Sequence, residues 1–205
     1  MKKRIMIVTI PMLKPEDLKK INYRKGNDGE FFFEPSCFPS IPMIEDGLLG
    51  AGDVKIVAIK TDDDNNRADV NFKVFCEELE DLGKRVGREL EIDKVIHVPH
   101  EETRDKQMQF YKELCLSYEE DCEIYMDITY GTKVTPIAMF SSLVYAEKVK
   151  KCDIENITYG KFAHNDSTVG NLYDVKSLYE IASIINTADY MSPDKIEVLV
   201  NSLWG

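Results

Sequence analysis

Residues 123–149 read EIYMDITYGTKVTPIAMFSSLVYAEKV, and this stretch decides the fold. Its first six residues, Glu123 to Ile128, form a short apolar run that reads as a buried strand. Thr129-Tyr130-Gly131-Thr132-Lys133 is too polar and too small to continue it, and reads as a tight turn. From Val134 to Val149 the apolar spacing becomes helical, with Ile137, Ala138, Phe140, Ser141, Val144, Tyr145 and Lys148 as the expected inward face. Pro136 suits the first helical turn, where a missing N–H costs little. The unit is therefore strand–turn–helix. In an open α/β sheet such a turn lies at the carboxyl end of its strand, where ligands bind. A helix N-terminus there offers unpaired N–H groups and partial positive charge to a phosphate. Gly131 permits close backbone approach. Thr129, Thr132 and Lys133 supply two hydroxyls and a cation.

Outward from this unit, the same alternation recurs. Arg4–Ile10 is a continuous β-branched run and reads as a central strand of a parallel sheet. Its exit loop, Thr9-Ile10-Pro11-Met12, is expected on the same sheet edge as the Thr129 turn. Leu13–Ser40 is irregular. Asn27-Asp28-Gly29, between Tyr23-Arg24-Lys25 and Phe31-Phe32-Phe33, predicts a small projecting hairpin. It would either pack its Phe side chains on the core or reach over a ligand or partner. A short helix is expected over Ile41–Leu49, ending at Gly50-Ala51-Gly52. Val54–Lys60 is the next strand. The acids after it, Asp62-Asp63-Asp64, fit a helix cap better than a metal site. A long helix is expected over Ala68–Leu90, then a strand at Lys94–Val98 and a helix from Thr103 to about Tyr118. That helix carries a core stripe of Met108, Tyr111, Leu114, Cys115 and Tyr118. His97 and His100 lack further zinc ligands nearby. After residue 149 come a strand at Glu155–Phe162, a turn at Ala163–Ser167, a hairpin partner at Val169–Val175, and helices at Leu178–Ile185 and Lys195–Leu203.

Strands and helices alternate four times before the hairpin. That predicts an α/β three-layer sandwich with a mainly parallel central sheet and a C-terminal β-hairpin. Residues 1–190 are expected to form one domain. Residues 191–205 are expected to be a C-terminal helix or the start of an appendage.

Composition narrows the function. The 205 residues carry a net charge of −11, which argues against a protein that coats DNA or RNA. A small nucleotide in one local basic pocket remains compatible with it. Five cysteines, odd in number and without a Cys-x-x-Cys pair, read as reduced thiols of a cytoplasmic protein. No apolar run approaches the ~20 residues that span a bilayer. No Gly-x-Gly-x-x-Gly follows the first strand, which disfavours NAD and FAD. No cofactor and no metal ligand set is expected.

Asp127-Ile128-Thr129-Tyr130-Gly131, closing a strand and opening a long helix, resembles the Asp-x-Thr-His-Gly motif of CARF domains. These are the Rossmann-like sensors of type III CRISPR systems. Tyr130 stands where that motif has His. Thr-Tyr-Gly-Thr-Lys also resembles the family's Thr-Gly-Gly-Thr-Lys variant, and Asn156–Phe162 is similar to the strand that follows it. The resemblance implies a homodimer that binds a cyclic oligoadenylate, most simply cyclic tetra-adenylate, across its two-fold axis. It implies a ligand site at Thr9, Ile10, Pro11, Met12, Asp127, Thr129, Tyr130, Gly131, Thr132 and Lys133. It also raises a metal-independent ring nuclease, with Lys133 as the cation on the scissile phosphate and Thr9 as a positioning group. The alternative is a non-catalytic sensor or regulator whose effector lies outside this chain. Neither membrane association nor direct DNA binding is expected.

Overall fold

The computed structural model describes residues 2–32, 34–50, 52–101, 103–163, 166–186 and 191–202. The chain begins with β1 (Arg4–Ile10), a 3-10 turn at Pro15–Asp17 and β2 (Asn22–Lys25). Then follow α1 (Ser40–Leu48), β3 (Val54–Thr61), α2 (Arg67–Val86), β4 (Lys94–Val98) and α3 (Arg104–Ser117). The organising unit is β5 (Glu123–Asp127) and α4 (Val134–Val149). The chain continues through β6 (Asp153–Ala163), β7 (Asp166–Asp174), α5 (Lys176–Ile185) and α6 (Pro193–Ser202). The strands make one seven-stranded sheet in the order β2-β7-β6-β5-β1-β3-β4. The pairs β6–β5, β5–β1, β1–β3 and β3–β4 are parallel, and β6–β7 is an antiparallel hairpin.

Side-chain alternation along the central strands builds the three layers. Ile5 and Ile7 of β1, with Ile124 and Met126 of β5, join Phe110, Leu114, Met139, Leu143 and Ala146 from α3 and α4. Met6, Val8 and Ile10 face the other way, onto Phe38, Ile41, Ile44, Phe75, Leu79 and Leu82, in and around α1 and α2. Both faces of β1 are thus covered, which is why its sequence is continuously apolar from Ile5 to Val8.

Local chemistry sets the element ends. The Asp63 carboxylate accepts from the backbone N–H groups of Asn65, Arg67 and Ala68, so this acid caps α2 as expected. Asp62 instead lies 2.9 Å from His97 Nδ1. Among the described residues no group of three His, Cys, Asp or Glu side chains is placed to hold a metal. The α2 helix stops at Val86 rather than Leu90, because Gly87 adopts a left-handed φ of 67° and terminates it.

Three other expectations need correcting. The Asn27–Gly29 turn does close a hairpin, with the Lys25 N–H donating to the Glu30 carbonyl and the Phe32 N–H to the Tyr23 carbonyl, but the segment does not project. β2 joins the sheet edge in parallel with β7, Tyr23 is fully buried, and Phe31, bridged to Arg24, is 55% exposed. Four residues were too few for a strand pattern to register. Phe33 falls outside the described residues, as do Ala51, Glu102, His164, Asn165 and Leu203 to Gly205. On α3, Met108 is exposed and Phe110 takes its expected place in the core. On α4 the inward face is Thr135, Met139, Ser142, Leu143 and Ala146. The expected stripe points largely outward: Ser141 and Lys148 are exposed, Ile137 is 65% exposed and Val144 36%. This helix is apolar nearly all round, so periodicity could not choose a side. Among the described residues no helix is long and apolar enough to cross a membrane.

Candidate functional site at the carboxyl edge of β1 and β5

In the parallel core, β3 and β4 lie on one side of β1 and β5 and β6 on the other, with the chain crossing to the β2 edge and back between β1 and β3. The carboxyl ends of β1 and β5 therefore flank the point where the winding reverses, which is where open α/β sheets place ligands. Thr9–Met12 and Asp127–Lys133 are the two exits at that point.

A buried carboxylate organises both exits. Asp127 is fully buried. Its Oδ1 accepts from the Thr129 backbone N–H at 2.9 Å and from Thr129 Oγ1 at 2.5 Å. Its Oδ2 accepts from Thr9 Oγ1 at 3.3 Å. Thr9 Oγ1 in turn accepts from the Tyr130 N–H at 3.1 Å, and Thr129 Oγ1 accepts from the Gly160 N–H at 2.8 Å. One acid thus fixes the turn to β1 and to β6 together. Burial pushes the Asp127 carboxyl up to about 6, outweighing the bonds from Thr129 and Thr9 that favour its charged form. Thr129 begins an Asx turn on Asp127, which bends the chain out of β5.

Gly131 completes the bend. Its φ is 111°, a conformation that suits glycine, and a Cβ there would sit 2.7 Å from Thr135 Cβ. Gly160 has a similar role on β6, since a Cβ there would meet Pro39 and Thr129 at 3.1 Å. That contact also brings the start of α1 against the turn. The Tyr130 ring stacks on Phe162, with centroids 6.1 Å apart and planes 15° from parallel. Burial raises the Tyr130 phenol above its usual range, and it stays neutral.

The expected site residues therefore separate into two groups. Thr9, Ile10, Pro11 and Asp127 are buried, and Met12 is half-buried. Thr9 and Thr129 each spend their single O–H on Asp127, so neither has a proton left for a phosphate oxygen. These residues hold the turn in place. Gly131 and Lys133 are exposed and Thr132 is half-buried. Among the described residues the backbone N–H groups of Gly131, Thr132 and Lys133 make no hydrogen bond, and the Lys133 ammonium has no partner. Thr132 Oγ1 lies 3.3 Å from Thr135 Oγ1. This is a short run of donors and one cation at the N-terminus of a 16-residue helix, a setting that favours an anion.

Two contributors were missed in the sequence. Asn71 of α2 is fully buried and donates from Nδ2 to the carbonyls of Pro11 and Leu13, both at 2.9 Å, anchoring the β1 exit loop. Its signal was an amide on the helix face that also carries Phe75 and Leu82. Gly160 was legible only as a strand residue. A cavity of about 500 Å³ lies elsewhere, near the amino half of β6. Its lining includes Asp46, Glu155 and Asp174 against one cation, Lys25, which pairs with Asp46. That balance repels a polyanion. Beside Thr132 lies a crevice of about 20 Å³, shared with Val98, Lys106 and Phe110. No protein-family model matches the chain, and no curated protein matches it either.

Proposed function

We propose that this protein binds a cyclic oligoadenylate, cyclic tetra-adenylate first among them, as a homodimer in type III CRISPR antiviral signalling. The observation that carries the reading is the Asp127 network. It holds an exposed Gly131–Lys133 donor run, at a helix N-terminus, at the reversal point of the sheet. The residues that do this are those of the CARF-like Asp-x-Thr-x-Gly motif. Each protomer offers a shallow anion-binding edge rather than a closed cavity, which suits a ring shared by two copies. The apolar outer face of α4, with Ile137 and Val144, supports dimerisation next to that edge.

Cleavage of the ring is the catalytic form of the same reading. The unpaired Lys133 favours it, because an ammonium beside a phosphate stabilises charge that develops as a 2′-hydroxyl attacks. Thr9 then acts through Asp127 and the Tyr130 N–H rather than on the ligand. The test is calorimetric titration with cyclic tri-, tetra- and hexa-adenylate, followed by product analysis in EDTA. Heat with one ring supports binding, and linear products add turnover. Silence with all three rings overturns the proposal.

A further inference from the structure

Cys122 and Cys152 lie 30 positions apart, immediately before β5 and β6. Parallel pairing of Glu123 with Asp153 sets the two strand starts side by side. The two sulfurs are 3.2 Å apart, with the residues 0% and 3% exposed. Both also approach the Glu119 carbonyl, at 3.4 and 3.1 Å. The Cys122 thiol donating to Cys152 draws the latter below the ordinary thiol range and holds Cys122 above it. Among the described residues no other two of the five cysteines are in contact. The pair brackets the whole unit of β5, turn and α4.

We propose that Cys122 and Cys152 are an oxidisable dithiol, which a hydroperoxide converts into a disulfide closing the β5–α4 unit at its base. The Cys152 thiolate attacks a peroxide oxygen. The O–O bond breaks, one water leaves, and Cys152 becomes a sulfenic acid. Cys122 then attacks the Cys152 sulfur. The S–S bond forms, the S–O bond breaks, and the leaving hydroxide takes the Cys122 proton as a second water. Two thiols and one hydrogen peroxide thus give one disulfide and two waters, with sulfur oxidised and peroxide reduced. The resolving thiol is already within contact of the attacking sulfur, so the second step needs no chain movement.

The test treats the reduced, folded protein with hydrogen peroxide and blocks remaining thiols with iodoacetamide. The blocked protein is then digested without reductant for peptide mass analysis. The expected result is a Cys122–Cys152 cross-linked peptide two hydrogens lighter than its parts, lost on adding dithiothreitol. Cys122→Ser is expected to stop at an oxygenated Cys152, and Cys152→Ser to lose the cross-link. The wild-type map decides the matter even where a serine variant fails to fold. Both residues recovered alkylated after peroxide, or cross-links spread over Cys37, Cys76 and Cys115, would overturn the proposal.

Discussion

Asp127→Asn tests whether the turn rests on a neutral or a charged acid. Asparagine has nearly the shape of the protonated carboxyl. Its Oδ1 can accept both Thr129 bonds, and its Nδ2, like the acid proton of a neutral Asp127, can donate to Thr9 once the Thr9 hydroxyl turns from donor to acceptor. The difference between the two proteins therefore isolates the ionisation. An unfolded aspartate titrates near ~3.9. In the fold, burial moves Asp127 up to about 6. A carboxyl whose folded pKa is raised contributes stability that is full below its unfolded pKa and is lost as pH rises through its folded one. A shift of about two units corresponds to roughly 3 kcal/mol over the whole range. The sequence pI is about 4.8, so measurements belong above it. Between pH 5 and pH 8 the wild type should lose about 1.4 kcal/mol relative to Asp127→Asn. Other titrating groups cancel in that difference. Urea denaturation of both proteins at half-unit steps of pH measures it. A difference that stays flat from pH 5 to 8 would refute the reasoning, since Asp127 would then be ionised throughout. A wild type that gains on the variant as pH rises would show that the threonine bonds outweigh burial.

Lys133→Ala should leave stability within about 0.5 kcal/mol, since the side chain is exposed. If the ring is cleaved, it should lower the single-turnover rate roughly 100- to 1,000-fold while affinity falls much less; equal rates and affinities in both proteins would remove Lys133 from the site. Gly131→Ala should cost more than about 1 kcal/mol, because the φ of 111° and the 2.7 Å approach to Thr135 act together. Thermal melting checks this, and an unchanged midpoint would contradict the backbone assignment. If the protein is the proposed dimer, Ile137→Glu should turn it into a folded monomer by light scattering with an unchanged circular dichroism spectrum; a variant as dimeric as the wild type would place the interface away from α4.

The alternation of strands and helices was legible because β1, β3 and β5 are largely buried runs, β6 alternates buried and exposed residues, and all of them punctuate cleanly. What escaped was what depends on partners distant in the chain. β2 has four residues, and beyond its hairpin bonds to Glu30 and Phe32 its sheet partner is β7, which starts more than a hundred positions later. The α4 helix has Ile137, Val144 and Val149 on one side and Met139, Leu143 and Ala146 on the other. Only packing against the sheet decides which set is inside. At the site, the motif located the turn but not the division of labour within it. Thr129 and Thr132 look alike as sequence, three apart around one glycine. Asp127 and Gly160 claim the first, and only its environment says so. Cys122 and Cys152 were invisible as a pair, because a whole helix separates them.

That division of labour narrows what the edge can recognise. Under the proposed function, ligand contact would fall to the three backbone N–H groups of Gly131 to Lys133, the Thr132 hydroxyl and the Lys133 ammonium. None of these reads a base. They complement a phosphodiester, whose two free oxygens accept from such donors and whose charge Lys133 offsets. On the proposed reading, selection for adenine and for ring size would come from the spacing between two such edges in a dimer and from whatever lies over them. A repeated phosphodiester placed by two-fold symmetry is matched by two copies of one short donor run, whereas an isolated mononucleotide leaves half of the assembly unused. A linear oligoadenylate of the same length should therefore bind more weakly than the ring, because it loses conformational freedom that closure has already removed. Competition between the linear and cyclic forms for the dimer measures this directly. Equal affinity would mean that the protein recognises phosphodiesters singly, and that symmetry plays no part.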